Sequence, residues 1–353
     1  MSQLTTNKVR IVGLSACVPK RIEETLSLSV FQSEEEARKV IESTGIERHR
    51  IVEPGTTASD LSVKAIEKMV TDLGWEIETV DVLLYVCCTR DYLQPMTSPI
   101  IQDRLGMRQD SYVMDLPMGC AGWVYGMSVA ASLMDKGTLK RGLLVCAETN
   151  TQSHALNDRT SRPIFGDAAT VTALEYDDQY EKPMNFLFGV DGSGAGAIMA
   201  KYGGMRNPVT PESLQNIEVE PGVWRKGTDI VMDGMNVFSF AIRRPPRQLK
   251  ELVSTFEIDT EDIDYLLLHQ ANKYIDERIR KSMKFSEEKT PYCLSDYGNV
   301  SGASIPLTMV TRIADGLSQK PNHCIACGFG VGLSWASMEF WTDNVKVSEL
   351  LEY

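Results

Sequence analysis

EIETVDVLLYVCCT, residues 76–89, decides the fold because the chain contains it twice in altered form. Its echo, DTEDIDYLLLHQAN (259–272), has the same acidic stretch, then an Asp, then an apolar run of strand length. Asp81 and Asp264 hold the equivalent place, 183 positions apart. Downstream, GLLVCA (142–147) is echoed by HCIACG (323–328), 181 positions later. A helix-like stretch separates the members of each pair, 121–136 in the first half and 304–317 in the second. Two nearly equal offsets indicate a duplicated α/β unit.

The apolar runs are short and lack clean alternation, which suits strands buried on both faces. Amphipathic stretches at 59–73 and 246–256 alternate with them, so the class is α/β, with two sheets sandwiching buried helices. The boundary falls in the polar stretch 176–182, giving halves 1–178 and 179–353. Residues 203–227, rich in Gly, Pro and polar side chains, read as a surface excursion of the second half. GVDGSGAG (189–196) lacks the full dinucleotide fingerprint and reads as a turn with close backbone contact, so no nicotinamide cofactor is expected.

Bulk numbers exclude several classes. At 353 residues, 43% hydrophobic and 24% charged, the chain is a globular protein of two ordinary domains or one fused unit. A net charge of −12 argues against nonspecific binding to nucleic acid or anionic lipid. The first ten residues carry no apolar signal region. The run LPMGCAGWVYGMSVAASLM (116–134) approaches the length of a membrane span, but Pro117, three glycines and two serines make it a helix buried in protein. The eight cysteines lie mostly in apolar runs, as expected of reduced thiols in the cytoplasm.

That run also poses the chemical question. Cys120 stands between Gly119 and Ala121 at the start of the uncharged helix, where unpaired N–H groups and the dipole favour a thiolate. Of four histidines, His269 alone follows a strand-like run directly. Asn299, before the helix 304–317, nearly mirrors Cys120 in the duplication. A neutral imidazole and a carboxamide can both donate to one carbonyl oxygen and stabilise an enolate or oxyanion. Cys, His and Asn together point to acyl transfer through a thioester. Each also has a plainer reading: a packed thiol, a strand-end hydrogen bond, a turn. Cys17, Cys87, Cys88, Cys146 and Cys293 are read as packing. Cys324 and Cys327 have C-x-x-C spacing, but on a strand their side chains fall on opposite faces, so neither zinc nor redox duty follows.

With these residues in view, the chain resembles the β-ketoacyl-[acyl-carrier-protein] synthase III family of the thiolase-like superfamily over essentially its whole length. The motifs are TGIERHR (44–50), GCAGW (119–123), FGDAA (165–169), HQAN (269–272), YGNVSGASIP (297–306) and GFGVGLSWAS (328–337), in that order. The resemblance implies a duplicated five-layered α-β-α-β-α sandwich and a homodimer. It implies that Cys120 carries the acyl group while His269 and Asn299 hold the malonyl thioester carbonyl during decarboxylation. The backbone N–H groups of Cys120 and Val331 would form the oxyanion hole, with Val331 where the family usually has Gly. No cofactor is implied beyond coenzyme A or carrier-protein thioesters.

Departures from the family narrow the substrate. Arg159 keeps a coenzyme-binding arginine, but Lys39 replaces its tryptophan partner, Ser43 and Tyr274 replace two further arginines, and Gln94 replaces an aromatic supplied by the partner subunit. Arg159, Gln94 and Trp123 are the expected substrate contacts. A longer acyl-CoA or a carrier-bound acyl donor fits better than acetyl-CoA, in a secondary-metabolite or envelope-lipid pathway as readily as in fatty-acid synthesis. An acidic carrier protein needs local positive charge, which IRRPPRQLK (242–250) supplies through Arg243 and Arg247, with Lys281 beyond it; a solvated helix face is the alternative. Rival functions are non-decarboxylative condensation, acyl transfer to an alcohol or amine, a papain-like hydrolase whose local signature is absent, and an inactive scaffold.

Overall fold

The computed structural model describes residues 2–353; Met1, the first residue of the expected N-terminal half, lies outside them. An eleven-stranded sheet runs through the molecule. Its strands are β1 (Ser2–Thr6), β2 (Val9–Val18), β3 (Val82–Val86), β4 (Tyr112–Leu116), β5 (Arg141–Thr149), β6 (Asp167–Tyr176), β7 (Met184–Val190), β8 (Tyr265–Leu268), β9 (Asn322–Gly330), β10 (Ser334–Val347) and β11 (Leu351–Glu352). The order β2-β6-β5-β3-β4 forms one wing, and β1-β7-β10-β9-β8 forms the other. Pairing of β10 with β2 joins the two, and β11 adds to the far end of β2.

The echo in the sequence is an echo in register. β3 lies parallel to β5 from Val82 opposite Gly142 to Val86 opposite Cys146. β8 lies parallel to β9 from Tyr265 opposite Cys324 to Leu268 opposite Cys327. The two matched aspartates explain why this spacing recurs. Asp81 donates its N–H to the Arg141 carbonyl at 2.9 Å, and its carboxylate accepts from the Lys140 and Arg141 N–H groups. Asp264 donates to the His323 carbonyl at 2.8 Å and accepts from the His323 N–H at 2.9 Å. Each carboxylate thus pins the first rung of a parallel strand pair.

Alternating strand faces build five layers. Leu83 and Tyr85 pack against α2 (Ala58–Leu73) and Ile101 of the helix Thr97–Leu105, whereas Val82, Leu84 and Val86 face the centre. There the buried helix Gly122–Met134 packs beside Ser304–Arg312, and both wings close over them. On the far side, Ile325 and Cys327 meet the amphipathic helices Arg244–Thr255 and Lys273–Met283. The molecule is the thiolase-like sandwich that the resemblance implied. Cys324 lies in the central cluster and Cys327 in the outer one, so their side chains do point to opposite faces.

Two local readings change. The helix expected over 304–317 breaks at Ile313 into Ser304–Arg312 and Ala314–Gln319. The excursion 203–227 is not featureless: Ile217–Glu220 and Val223–Arg225 form a hairpin that returns to the first half, where the Arg225 guanidinium meets the buried Asp158 carboxylate at 2.6 Å. No helix among the described residues is long and apolar enough to cross a membrane.

Candidate active site

Cys120 occupies the turn between β4 and the buried central helix, with Ala121 as that helix's N-cap. The turn is tight because neighbouring backbone fills the space around it. A Cβ on Gly330 would lie 2.6 Å from the Cys120 Sγ, and one on Gly328 would lie 2.8 Å from the Ala121 Cα. Glycine at both positions lets the end of β9 press onto the nucleophile turn.

His269 follows β8, and its buried ring sits edge-on to Phe329. Asn299 lies just before a 3-10 turn, Ser301–Ala303, that leads into the helix Ser304–Arg312. Unlike Cys120, it is not preceded by a strand. A single bridge to Phe165 takes the place of one, and Gly298 turns the chain at φ +65° where a Cβ would strike the Ile164 carbonyl. Cys120, His269 and Asn299 nevertheless line one cavity of about 630 Å³.

The donors are oriented by hydrogen bonds. The Asn299 Oδ1 accepts the Ser301 N–H at 2.9 Å, which leaves its Nδ2 as the free donor. The Ser304 hydroxyl donates to the Ser301 carbonyl at 2.8 Å, and its oxygen lies 2.8 Å from His269 Nδ1. In the tautomer protonated at Nε2, that nitrogen is a second donor. Burial pulls His269 down to about 3, the Ser301 carbonyl opposing, so the imidazole is neutral at physiological pH.

Cys120 corrects one expectation. Burial pushes its thiol up, and the Ser301 hydroxyl (3.8 Å away), the Val331 N–H and its own N–H oppose that without winning. Burial thus opposes the thiolate that the helix N-terminus was expected to favour. Nearby Glu148, raised to about 7 by burial despite donors from Cys88 and Thr89, disfavours the anion further. Two of the three groups that favour the thiolate are the backbone N–H groups of Cys120 and Val331, the pair named for the oxyanion hole.

Other expected contacts fall elsewhere. Trp123 does not line the cavity: its ring is fully buried between the wings, donating to the Thr172 hydroxyl at 3.0 Å and edge-on to Phe340. It is a core residue, and its assignment as a substrate contact is corrected. Arg159 faces α1 (Glu34–Thr44), 3.9 Å from Glu36, on the helix that carries Lys39 and Ser43. Gln94 is exposed between β3 and the helix Thr97–Leu105 and does not line this chain's cavity. Cys88, read as packing, is exposed and borders the cavity instead, while Cys17, Cys87, Cys146 and Cys293 are buried. Arg243 and Arg247 line a surface groove of about 530 Å³ with Lys250 and Ser282, and neighbouring Lys281 pairs with Glu277 at 3.6 Å.

Sequence reasoning missed part of the cavity wall. Met235, Val237 and Phe238 come from the short helix Gly234–Ala241, which has no distinguishing motif. His154 and Asn150 also line it. The signal for His154 was its rarity as one of four histidines, set aside because no strand run precedes it directly. No group of His, Cys, Asp and Glu that could hold a metal occurs among the described residues.

Comparison with known proteins matches this geometry. The family described as 3-Oxoacyl-[acyl-carrier-protein (ACP)] synthase III matches residues 114–192, and its C-terminal counterpart matches 254–340. The beta-ketoacyl-[acyl-carrier-protein] synthase III of Streptococcus agalactiae is 30% identical over 336 residues, 93% of this chain and 98% of that protein. That of Caldanaerobacter subterraneus is 29% identical over 330 residues, covering 93% and 96%. The crystal structure of a 3-oxoacyl-(acyl-carrier protein) synthase from Burkholderia xenovorans superposes with a TM-score of 0.92 at 29% identity, over 100% of this chain and 99% of that one. With its two wings, its shared cavity and these relatives, the chain belongs to the β-ketoacyl-[acyl-carrier-protein] synthase III family.

Proposed function

We propose that the protein is an acyltransferase of the condensing type, joining an acyl group held on Cys120 to a malonyl thioester with loss of carbon dioxide. The observation that carries this reading is one cavity lined by a thiol, a neutral imidazole and a carboxamide whose acceptor oxygen is already occupied. Cys120 Sγ attacks the donor thioester, the tetrahedral oxyanion rests on the Cys120 and Val331 N–H groups, and the donor thiol leaves. His269 Nε2–H and Asn299 Nδ2–H then hold the malonyl thioester oxygen as the carboxylate departs as carbon dioxide. The resulting enolate carbon attacks the acyl carbonyl, breaks its bond to Sγ and releases a 3-oxoacyl thioester. Ser304 serves as the positioning residue that holds the His269 ring through Nδ1.

In this reading the units of duplication are 1–178, which brings the nucleophile, and 179–353, which brings the two donors. Substrates arrive as coenzyme A or carrier-protein thioesters without a further cofactor, in the cytoplasm. Arg159 meets the coenzyme, and Gln94 reaches a cavity only across a homodimer. Arg243, Arg247 and Lys281 receive the acidic carrier protein. Continuity supports the docking side: the helix Gly234–Ala241 that walls the cavity leads directly into the segment bearing Arg243 and Arg247.

Intact-mass measurement after exposure to a panel of acyl thioesters tests the first half-reaction. The expected result is an acyl adduct on the parent that is missing in Cys120→Ala; no adduct from any thioester would sink the reading. His269→Ala and Asn299→Ala should still acylate but lose malonyl decarboxylation by about 100-fold or more.

A further inference from the structure

The Ser301 main chain serves the donor side of the site, yet the condensation leaves its hydroxyl without a task. Asn299 Oδ1 accepts the Ser301 N–H at 2.9 Å, and the Ser301 carbonyl accepts from the Ser304 hydroxyl at 2.8 Å. Among the described residues, the Ser301 hydroxyl has one hydrogen-bond partner, the Cys120 Sγ 3.8 Å away, a length that the size of sulfur allows. Ser301 lines the cavity and is only 6% exposed. Its backbone stands at φ +54°, in the left-handed region that a residue with a side chain seldom adopts. Backbone strain of this kind clusters at active sites.

Its place in the duplication points the same way. The offset of 181 positions that relates GLLVCA to HCIACG also relates Cys120 to Ser301. The thiol of one half and the hydroxyl of the other are counterparts, and in the folded chain they meet.

The fate of the other donors gives this contact its chemistry. Three groups favour the thiolate: the Ser301 hydroxyl and the N–H groups of Val331 and Cys120. In the reading above, both N–H groups turn to the substrate oxygen when the carbonyl enters the oxyanion hole. Each N–H is a single donor, so neither then serves the sulfur. The hydroxyl is the donor that remains for Sγ, and a hydrogen bond to an anionic acceptor is stronger than one to a neutral thiol.

We propose that Ser301 is a further catalytic residue, its hydroxyl donating to Cys120 Sγ in both half-reactions. The proposal rests on the condensing-enzyme reading and assigns one more residue to the same site. In acylation the hydroxyl stabilises the attacking sulfur, and the thiol proton leaves with the departing donor thiol. In condensation the acyl C–S bond breaks, its electron pair returns to Sγ beside the same hydroxyl, and the thiolate takes a proton from solvent. Ser301 keeps its own proton throughout.

Iodoacetamide alkylation of Cys120, followed by peptide mass from pH 7 to 9, reads the sulfur without any acyl substrate. Loss of a donor raises the thiol further, and below the thiol pKa the thiolate fraction drops by one factor at every pH. Ser301→Ala should therefore be alkylated about 10-fold more slowly across the whole range, the size of one hydrogen bond to a charged acceptor. Ser301→Gly, which adopts φ +54° freely, should match it. Wild-type alkylation rates in both variants would overturn the proposal and leave the condensing reading standing. Malonyl decarboxylation in a Cys120→Ala background separates the hydroxyl from the shape of the turn. With no sulfur present, adding Ser301→Ala should leave that rate as it was, because the main chain that holds Asn299 and Ser304 is intact. A fall there would assign the effect to displaced donors and overturn the proposal. Should Ser301→Ala fail to fold, Ser301→Gly carries both measurements. No acyl adduct on wild-type Cys120 from any thioester would overturn the condensing reading and this proposal with it.

Discussion

A thiol that burial keeps protonated must lose its proton before it can attack, and that sets the pH dependence of Cys120. Its pKa lies above the ordinary thiol value of 9.0, with burial the largest cause. The thiolate fraction therefore rises about tenfold per pH unit throughout the neutral range. Single-turnover acylation of Cys120 should climb at that slope from pH 7 to 9 without a plateau; a flat profile would mean that the thiolate already exists at neutrality. Ser304 is the second test at this scale. Replacing it by Ala removes the side-chain partner that holds His269 Nδ1 at 2.8 Å, so malonyl decarboxylation should fall about 10–100-fold. Acylation of Cys120 should stay unchanged, and Ser304→Thr should restore the loss. A parallel fall in both half-reactions would indicate a folding defect instead.

For the strand pairs, the two echoed aspartates carry the argument. Burial works against ionisation of Asp264, but the Lys320 ammonium at 2.7 Å and the His323 N–H hold its carboxyl below the usual range. Asp81 is held down in the same way by the Lys140 and Arg141 N–H groups and Arg108, again against burial. A carboxyl whose pKa is lower folded than unfolded stabilises the fold above its unfolded pKa, and that contribution fades as the pH falls through the folded value. Asp264→Ala should cost about 1–2 kcal/mol in urea unfolding at pH 7, since it leaves a strand N–H without its partner. The difference from wild type should shrink as the pH falls below the usual carboxylate range; a gap that persists there would point to packing rather than charge.

Over the whole molecule, net charge and local charge oppose each other. The chain carries −12 overall, yet Arg243, Arg247 and Lys250 share one groove near the end of a cavity-wall helix. Arg247 is partly committed to Glu251 at 3.2 Å, whereas Arg243 is exposed. Reversing both charges, Arg243→Glu with Arg247→Glu, should raise KM for a carrier-bound malonyl thioester about 10-fold or more while leaving that for the coenzyme A thioester unchanged. Equal effects on both substrates, or none, would remove the groove from the docking surface.

The sequence by itself determined the duplication, because paired aspartates and apolar runs at a fixed offset record the same strand pairing twice. It also singled out Cys120, His269 and Asn299, since each sits where a strand or turn ends in a rare residue or a glycine-flanked motif. Only the tertiary structure decided how those residues are tuned. The Cys120 thiol is raised by burial, to which the end of β9 contributes by closing over it, a contact between residues more than 200 positions apart. Trp123, three residues from the nucleophile, turns away into the core because the helix carries successive side chains to different faces. His154 became visible as part of the cavity for the same reason: solvent exclusion and an unpaired nitrogen are properties of packing, and no spacing of residues along the chain encodes them.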